Sequence, residues 1–244
     1  MPAHQRVKIF IVPRSCPGAF FLTNFMAEST GMHSIGEIRK EYMLETLSKK
    51  EVAPDPISQF GRWWEEALRS GIEEVNAMTL ATASGDGVPS ARIVLLKGYD
   101  SQGFLFFTNY GSFKGRQLLE NPRACLVFFW KELERQVRIT GLVEKVSAQE
   151  SDDYYRSRPE GSRIGAWVSP QSQVIPDRNW LVETEKQAEE KFSGKDIQRP
   201  PHWGGYRVKP VAVEFWQGRP NRLHDRIQYS LNGDATWIIE RLAP

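Results

Sequence analysis

Five apolar stretches follow one another between Asn76 and Val146 with room for only one short helix among them. AMTLATAS and PSARIVLLKGY flank a turn at SGDG, and DSQG then leads into FLFFTN. ACLVFFW and ERQVRITGLVEKV follow, joined by a tight turn near Lys131 and Glu132. Parallel strands need a long crossover, usually a helix, between each pair, whereas antiparallel strands need only such turns. The pattern therefore argues against a doubly wound parallel sheet. Near the C-terminus VAVEFWQ, RLHDRIQYS and TWIIERL predict three closing strands with turns at GRPN and NGDA. The pattern predicts a predominantly β protein: an antiparallel barrel with helices attached to it.

Those helices carry their own signals. Residues 37–50, EIRKEYMLETLSKK, predict a charged, partly helical lead-in. Asp55 and Pro56 then open a helix in which Ile57, Phe60, Trp63, Trp64 and Leu68 share an apolar face as far as Gly71. Ser112 to Leu119 predicts a short helix closed by Asn121-Pro122. SAQESDDYYRSR, GSRIGAWVS and DRNWLVETEKQAEEKF predict three more, and SGKDIQRPPHWGG a loop.

The chain has 244 residues and a formal charge of +2, with no apolar run near the length that spans a membrane. Neither a polyanion-binding surface nor a membrane anchor is expected, so neither nucleic acid nor membrane is predicted as a partner. Cys16 and Cys125 lack metal or redox spacing; Cys125, inside ACLVFFW, reads as a buried small hydrophobe. This suits a reducing compartment and a cytoplasmic location. Residues 1–35 predict a disordered extension, and residues 36–244 a single domain. The first 27 residues hold no acidic side chain. An organelle-targeting peptide, hence a mitochondrial location, stays open as the alternative.

Phosphate loops of the GxxxxGK[ST] type, GxGxxG, HExxH, paired CxxC and GxSxG are all missing. What remains are cations inside or beside apolar strands. Arg92 and Lys97 bracket IVLL, and a charge there is costly unless something pairs with it. Lys114 falls in the first turn of a helix, where free backbone N–H groups suit a phosphate. Gln136 and Arg138 share one strand face; the Gln136 amide suits either a heterocycle's polar edge or a wet sheet. Tyr154, Arg158 and Ser162 can converge on a phosphate, and Gln171 and Ser172 lie in the loop that follows. Strand alternation predicts Arg222, His224 and Arg226 on one face, with Asp225 turned away. Three adjacent cationic groups of that kind call for an anion or a ring over them.

RIVLLK, FFTN, ERQVRI, YYRSRP, IGAWVSPQSQVI, HWGGYRV, EFWQG, RLHDR and ERLAP together resemble the pyridoxine/pyridoxamine 5′-phosphate oxidase family, in order from about Ile38 to Pro244. The resemblance implies a split β-barrel homodimer with FMN between the subunits, oxidising phosphorylated B6 vitamers with O₂. It implies flavin contacts from Arg92, Ile93, Val94, Leu95, Phe107, Thr108, Lys114, Gln136, Gln171, Ser172, Trp216 and Arg226. Lys97, Tyr154, Arg158 and Ser162 match the pocket for the substrate phosphate. Arg222, Leu223 and His224 match the segment over the pyridine ring, with Arg222 and His224 as the catalytic pair. Arg39 and Tyr42 match a segment that closes over the substrate, while Arg219 has no implied role and reads as solvated. Phe113 stands where the family usually has arginine, which removes one donor to the flavin phosphate. Two other functions suit the fold: a non-catalytic FMN or pyridoxal phosphate carrier, and a nicotinamide-dependent flavin reductase. The intact RLHDR segment argues against the first, and the Lys97, Tyr154, Arg158, Ser162 set against the second.

Overall fold

In the computed structural model, residues 40–244 are described; the expectations for residues 1–35 and for Arg39 lie outside them. Residues 41–244 form one unit. It is built on a nine-stranded antiparallel sheet: β1 (Ala77–Ala83), β2 (Pro89–Leu95), β3 (Gly98–Asp100), β4 (Gly103–Asn109), β5 (Arg123–Trp130), β6 (Arg135–Lys145), β7 (Trp203–Gln217), β8 (Asp225–Leu231) and β9 (Trp237–Leu242). The strands run in the order β2-β1-β5-β6-β7-β4-β3, with β8 and β9 branching from β7. No described helix is long and apolar enough to cross a membrane.

β7 organises the sheet. One edge pairs with β6 along its length, while the other is shared: Trp203–Val208 pair with β4, and Ala212–Gln217 with β8. The fork coincides with a bulge between Thr140 and Gly141, opposite Pro210, which offers no N–H to the ladder. Gly141 is required there, because a Cβ would lie 2.3 Å from the Lys209 carbonyl oxygen.

The inner faces follow the alternation. Leu126, Phe128, Val137, Ile139, Val213 and Phe215 are fully buried, while Gln136 and Arg138 stay on the outer face. Helix α1 (Pro56–Arg69), capped by Asp55 accepting from Ser58 N, plugs the curled sheet. Phe60 meets Tyr99 and Phe104 edge-on at 4.9 Å, and Trp63 meets Phe215 at 5.2 Å. Ala67, rather than the expected Leu68, continues the buried face; Leu68 is exposed. The other helices are α2 (Phe113–Glu120), α3 (Ala148–Ser157), α4 (Glu160–Val168) and α5 (Arg178–Phe192). Ser112, Ser147 and Asp177 cap α2, α3 and α5.

Four local expectations need correction. Residues 40–50 form no helix, because their backbone groups bond to distant side chains instead. PSARIVLLKGY breaks at Leu96-Lys97 into β2 and β3. The HWGG stretch belongs largely to β7, not to a loop. Cys125 is only half-buried.

Candidate active site

A cavity of about 660 Å³ opens between β2, β4, α3, α4 and the start of β7. Its walls include Ile93, Val94, Leu95, Lys97, Phe107, Thr108, Lys114, Tyr154, Arg158, Ser162 and Gln171. The chain between Ile93 and Gln171 is thus folded so that one space collects residues that its sequence singles out. The volume is that of a typical small-molecule site.

Its electrostatics are those of an anion site. Lys114 is buried in the first turn of α2, with Nζ 3.2 Å from Thr108 Oγ1 and 3.4 Å from Gln171 Oε1. These partners are neutral, and burial, then the charge of Arg92, pushes the Lys114 pKa down. Arg92 lies just outside the lining; its guanidinium donates to Leu80 O and Thr82 Oγ1, and burial lowers its pKa too. Arg158 follows α3 with its guanidinium 4.6 Å from the Trp203 ring, and its Nη1 is buried without a hydrogen-bond partner. Phe107, Tyr154 and Trp203 form a stack beside it, with Phe107 and Tyr154 3.9 Å apart. Among the described residues, none of Arg92, Lys97, Lys114 and Arg158 forms an ion pair. A buried lysine and two half-buried arginines with neutral partners, one of them with an orphaned donor, match the chemistry of phosphate monoesters.

Trp216, Gln136, Arg222, Leu223, His224 and Arg226 are not in this cavity. They gather with Tyr42 at the opposite end of β7, where Gln136 and Trp216 are directly paired. The Tyr42 ring meets Trp216 edge-on at 5.7 Å, and Trp216 lies 4.6 Å from His224. Thirteen steps of strand separate Trp203 from Trp216, roughly 40 Å along the chain. One small ligand cannot touch both ends within one chain.

The strand expected through RLHDR is also corrected. Pro220–Arg222 form a 3₁₀ turn with Asn221 and Arg222 at positive φ, and β8 begins only at Asp225. Arg222 and His224 therefore share no strand face with Arg226. Nor is Arg226 without an anion: its Nε donates to buried Glu214 at 2.7 Å, which raises its pKa. Glu214 also pairs with Arg138. Arg219 is not simply solvated, since it bonds to Glu45 O and lies 3.6 Å from Asp225. Burial, then the Arg222 charge, lowers the His224 pKa. Ser172 is exposed, at a φ of 69°, outside the cavity lining.

Several lining residues carried no assigned role: Asn109, Ser157, Ser169 and Trp203. Trp203 had a visible signal, as the one aromatic ring heading the HWGG segment. Asn109, Ser157 and Ser169 had none, because small polar residues at element ends are common.

Two family models match the chain: pyridoxamine 5′-phosphate oxidase over residues 64–192, and the pyridoxine 5′-phosphate oxidase C-terminal dimerisation region over residues 203–244. The pyridoxine/pyridoxamine 5′-phosphate oxidase of Cupriavidus metallidurans is 57% identical over 213 residues, 87% of this chain and 100% of that protein. That of Nostoc sp. is 56% identical over 86% of this chain and 99% of its own length. The crystal structure of PhzG from Burkholderia lata 383, in complex with tetrahydrophenazine-1-carboxylic acid, superposes with a TM-score of 0.77 at 30% identity, covering 82% of this chain and 99% of that one. A pyridoxamine 5′-phosphate oxidase-related, FMN binding protein of Nostoc punctiforme shares the fold at a TM-score of 0.63 and 19% identity, covering 79% of this chain and 100% of that one. Matched through both halves of its sheet, the chain belongs to the pyridoxine/pyridoxamine 5′-phosphate oxidase family.

Proposed function

We propose that this protein oxidises pyridoxine 5′-phosphate and pyridoxamine 5′-phosphate to pyridoxal 5′-phosphate as an FMN-dependent homodimer. The alcohol loses two electrons and two protons to O₂, giving the aldehyde and H₂O₂. The amine consumes one water as well and releases ammonia. The observation that carries the proposal is the separation of two complementary residue sets at opposite ends of β7, each incomplete alone. A second copy presenting its Trp216, Arg222 and His224 end to the cavity of the first completes the site. The match to a dimerisation region over residues 203–244 supports that arrangement.

FMN fits the donor set. Lys114, Arg92 and the α2 N-terminus suit its phosphate, and the backbone of Ile93–Leu95 with Gln171, together with Gln136 of the partner subunit, suits the polar edge of a flavin. Bound there, FMN would supply the two-electron redox chemistry, with O₂ as the final acceptor. Lys97, Tyr154, Arg158 and Ser162 hold the substrate phosphate, remote from the reacting carbon. That anchoring orients the vitamer and reduces the entropy lost on the way to reaction. Arg222 and His224 meet the pyridine ring and stabilise charge developing on it, and Tyr42 covers them. Leu223, 69% exposed in the single chain, gives that edge an apolar contact.

Purified protein, FMN and pyridoxine 5′-phosphate under air should yield aldehyde and peroxide in equal amounts. Bound flavin with neither product would instead favour a carrier.

A further inference from the structure

Arg219 lies outside every set of residues assigned so far, yet it meets two of the parts that the reaction needs. Its main-chain N–H donates to His224 Nδ1 at 3.1 Å. Its guanidinium donates to Glu45 O at 3.1 Å and lies 3.6 Å from the Asp225 carboxylate. We propose that Arg219 is a positioning residue: its amide holds His224 as the Nε2–H tautomer, and its side chain pins the segment carrying Tyr42 over the same imidazole. The inference rests on the oxidase assignment above, because His224 matters only if it faces the vitamer.

An amide proton is fixed by the backbone, unlike a hydroxyl proton that rotates to suit its neighbours. A ring nitrogen that accepts from it holds no proton of its own, so the neutral ring carries its proton on Nε2. The turn makes this contact possible. Pro220–Arg222 reverse the chain, Leu223 N bonds back to Pro220 O at 3.1 Å, and Asn221 and Arg222 both take positive φ. The cost of that backbone is retained in a segment where an extended strand would have carried His224 away from Arg219. Trp216 packs at 4.6 Å and Tyr42 at 5.9 Å, fixing the ring plane. Nε2 has no hydrogen-bond partner among the described residues, so the free end of the imidazole is a donor. His224 then gives a hydrogen bond to an oxygen or nitrogen of the vitamer and cannot accept a proton at that atom.

The segment over it is held by several long-range bonds. Met43 N and Leu44 N donate to Glu134 Oε2 at 2.9 and 3.2 Å, and Leu47 N donates to Asp225 Oδ2 at 3.1 Å. Arg241 donates to Leu47 O at 2.7 Å and pairs with the same Asp225. Arg219 joins this segment to Asp225 on one side while its amide holds His224 on the other.

The test is a long-range ¹H–¹⁵N correlation on the FMN-loaded protein with ring-labelled histidine. The chain has four histidines, so His224→Asn identifies the resonance by its loss. At neutral pH, Nδ1 should show the signature of an unprotonated acceptor and Nε2 that of a protonated nitrogen. A protonated Nδ1, or the mixed tautomers of a free imidazole, would overturn the amide's role. Arg219→Ala keeps the amide and should keep the tautomer. It should raise the KM for vitamer several-fold with a much smaller change in kcat, and Arg219→Lys should recover part of the loss. An unchanged KM in Arg219→Ala would overturn the side chain's role. Turnover of the wild-type protein in the same preparation is the separate check: no pyridoxal phosphate would sink the oxidase assignment while leaving the tautomer result standing.

Discussion

Arg158→Met should leave the protein at least as stable without ligand while removing much of its grip on a phosphorylated substrate. In the folded chain the Arg158 guanidinium has no anionic partner among the described residues, and its Nη1 is buried and unbonded. A donor left in that state costs about 1–3 kcal/mol. The Trp203 ring at 4.6 Å returns about 0.5–2 kcal/mol of cation–π attraction. Methionine keeps most of the stem and a favourable sulfur–aromatic contact while removing the orphan donor. The net change without ligand is thus about 0–1 kcal/mol in favour of the variant, a rise in Tm of up to roughly 4 °C for a chain of this size. Binding moves the other way. Each charge-assisted hydrogen bond to a phosphate contributes about 1.5–3 kcal/mol, so losing a two-point contact costs about 3–6 kcal/mol and raises KM by at least about 100-fold. Thermal unfolding without vitamer, beside steady-state kinetics with pyridoxine 5′-phosphate, measures both effects. Arg163 is the control: its Nε is also buried and unbonded, but it lies outside the cavity lining and faces Asp196 at 3.9 Å. Arg163→Met should leave KM unchanged. If Arg158→Met lowers Tm by several degrees and leaves KM alone, Arg158 is structural and the reasoning fails.

Phe113, half-exposed as the first residue of α2, offers nothing to an anion at that helix end, so Phe113→Arg should tighten FMN binding at least about tenfold, the equivalent of one charge-assisted bond, in a fluorescence titration. Gly141→Ala should lower stability to urea by about 1–3 kcal/mol, because its new methyl group meets the Lys209 carbonyl at the bulge. The His224 pKa lies below its ordinary value, so the folded state binds fewer protons there than the unfolded chain. Its contribution to stability is complete above the ordinary imidazole range and is lost as pH falls through the lowered folded value. Activity should decline over the same interval as the Arg219 N–H loses its acceptor, and a pH profile of kcat/KM should show that limb displaced in Arg222→Ala.

Most strands and the start of α1 were legible because local chemistry decides them. Asp55 sits before its helix and accepts from Ser58 N as its sequence position suggests. The cavity residues were legible because charge inside an apolar run is conspicuous. The failures are tertiary. The even spacing of Arg222, His224 and Arg226 imitates a strand, but a turn at Pro220 and two left-handed residues separate the first two from the third. Residues 40–47 carry no local sign that their amides will bond to Glu134 and Asp225, 90 and 178 positions away. Gly204 looks like a loop residue, whereas it lets the Tyr110 hydroxyl approach to 2.2 Å from where a Cβ would stand, within β7.

The central claim is that one site is built from opposite ends of β7 in two copies of this chain. Co-expression of Lys97→Met/Arg158→Met with Arg222→Ala/His224→Ala tests it directly, with pyridoxal phosphate formation as the readout. Each variant alone should be nearly inactive. Random pairing makes half of the dimers mixed, each with one intact site and one doubly defective site, so activity should return to about a quarter of wild type. Mixed dimers as inactive as their parents would contradict the shared site.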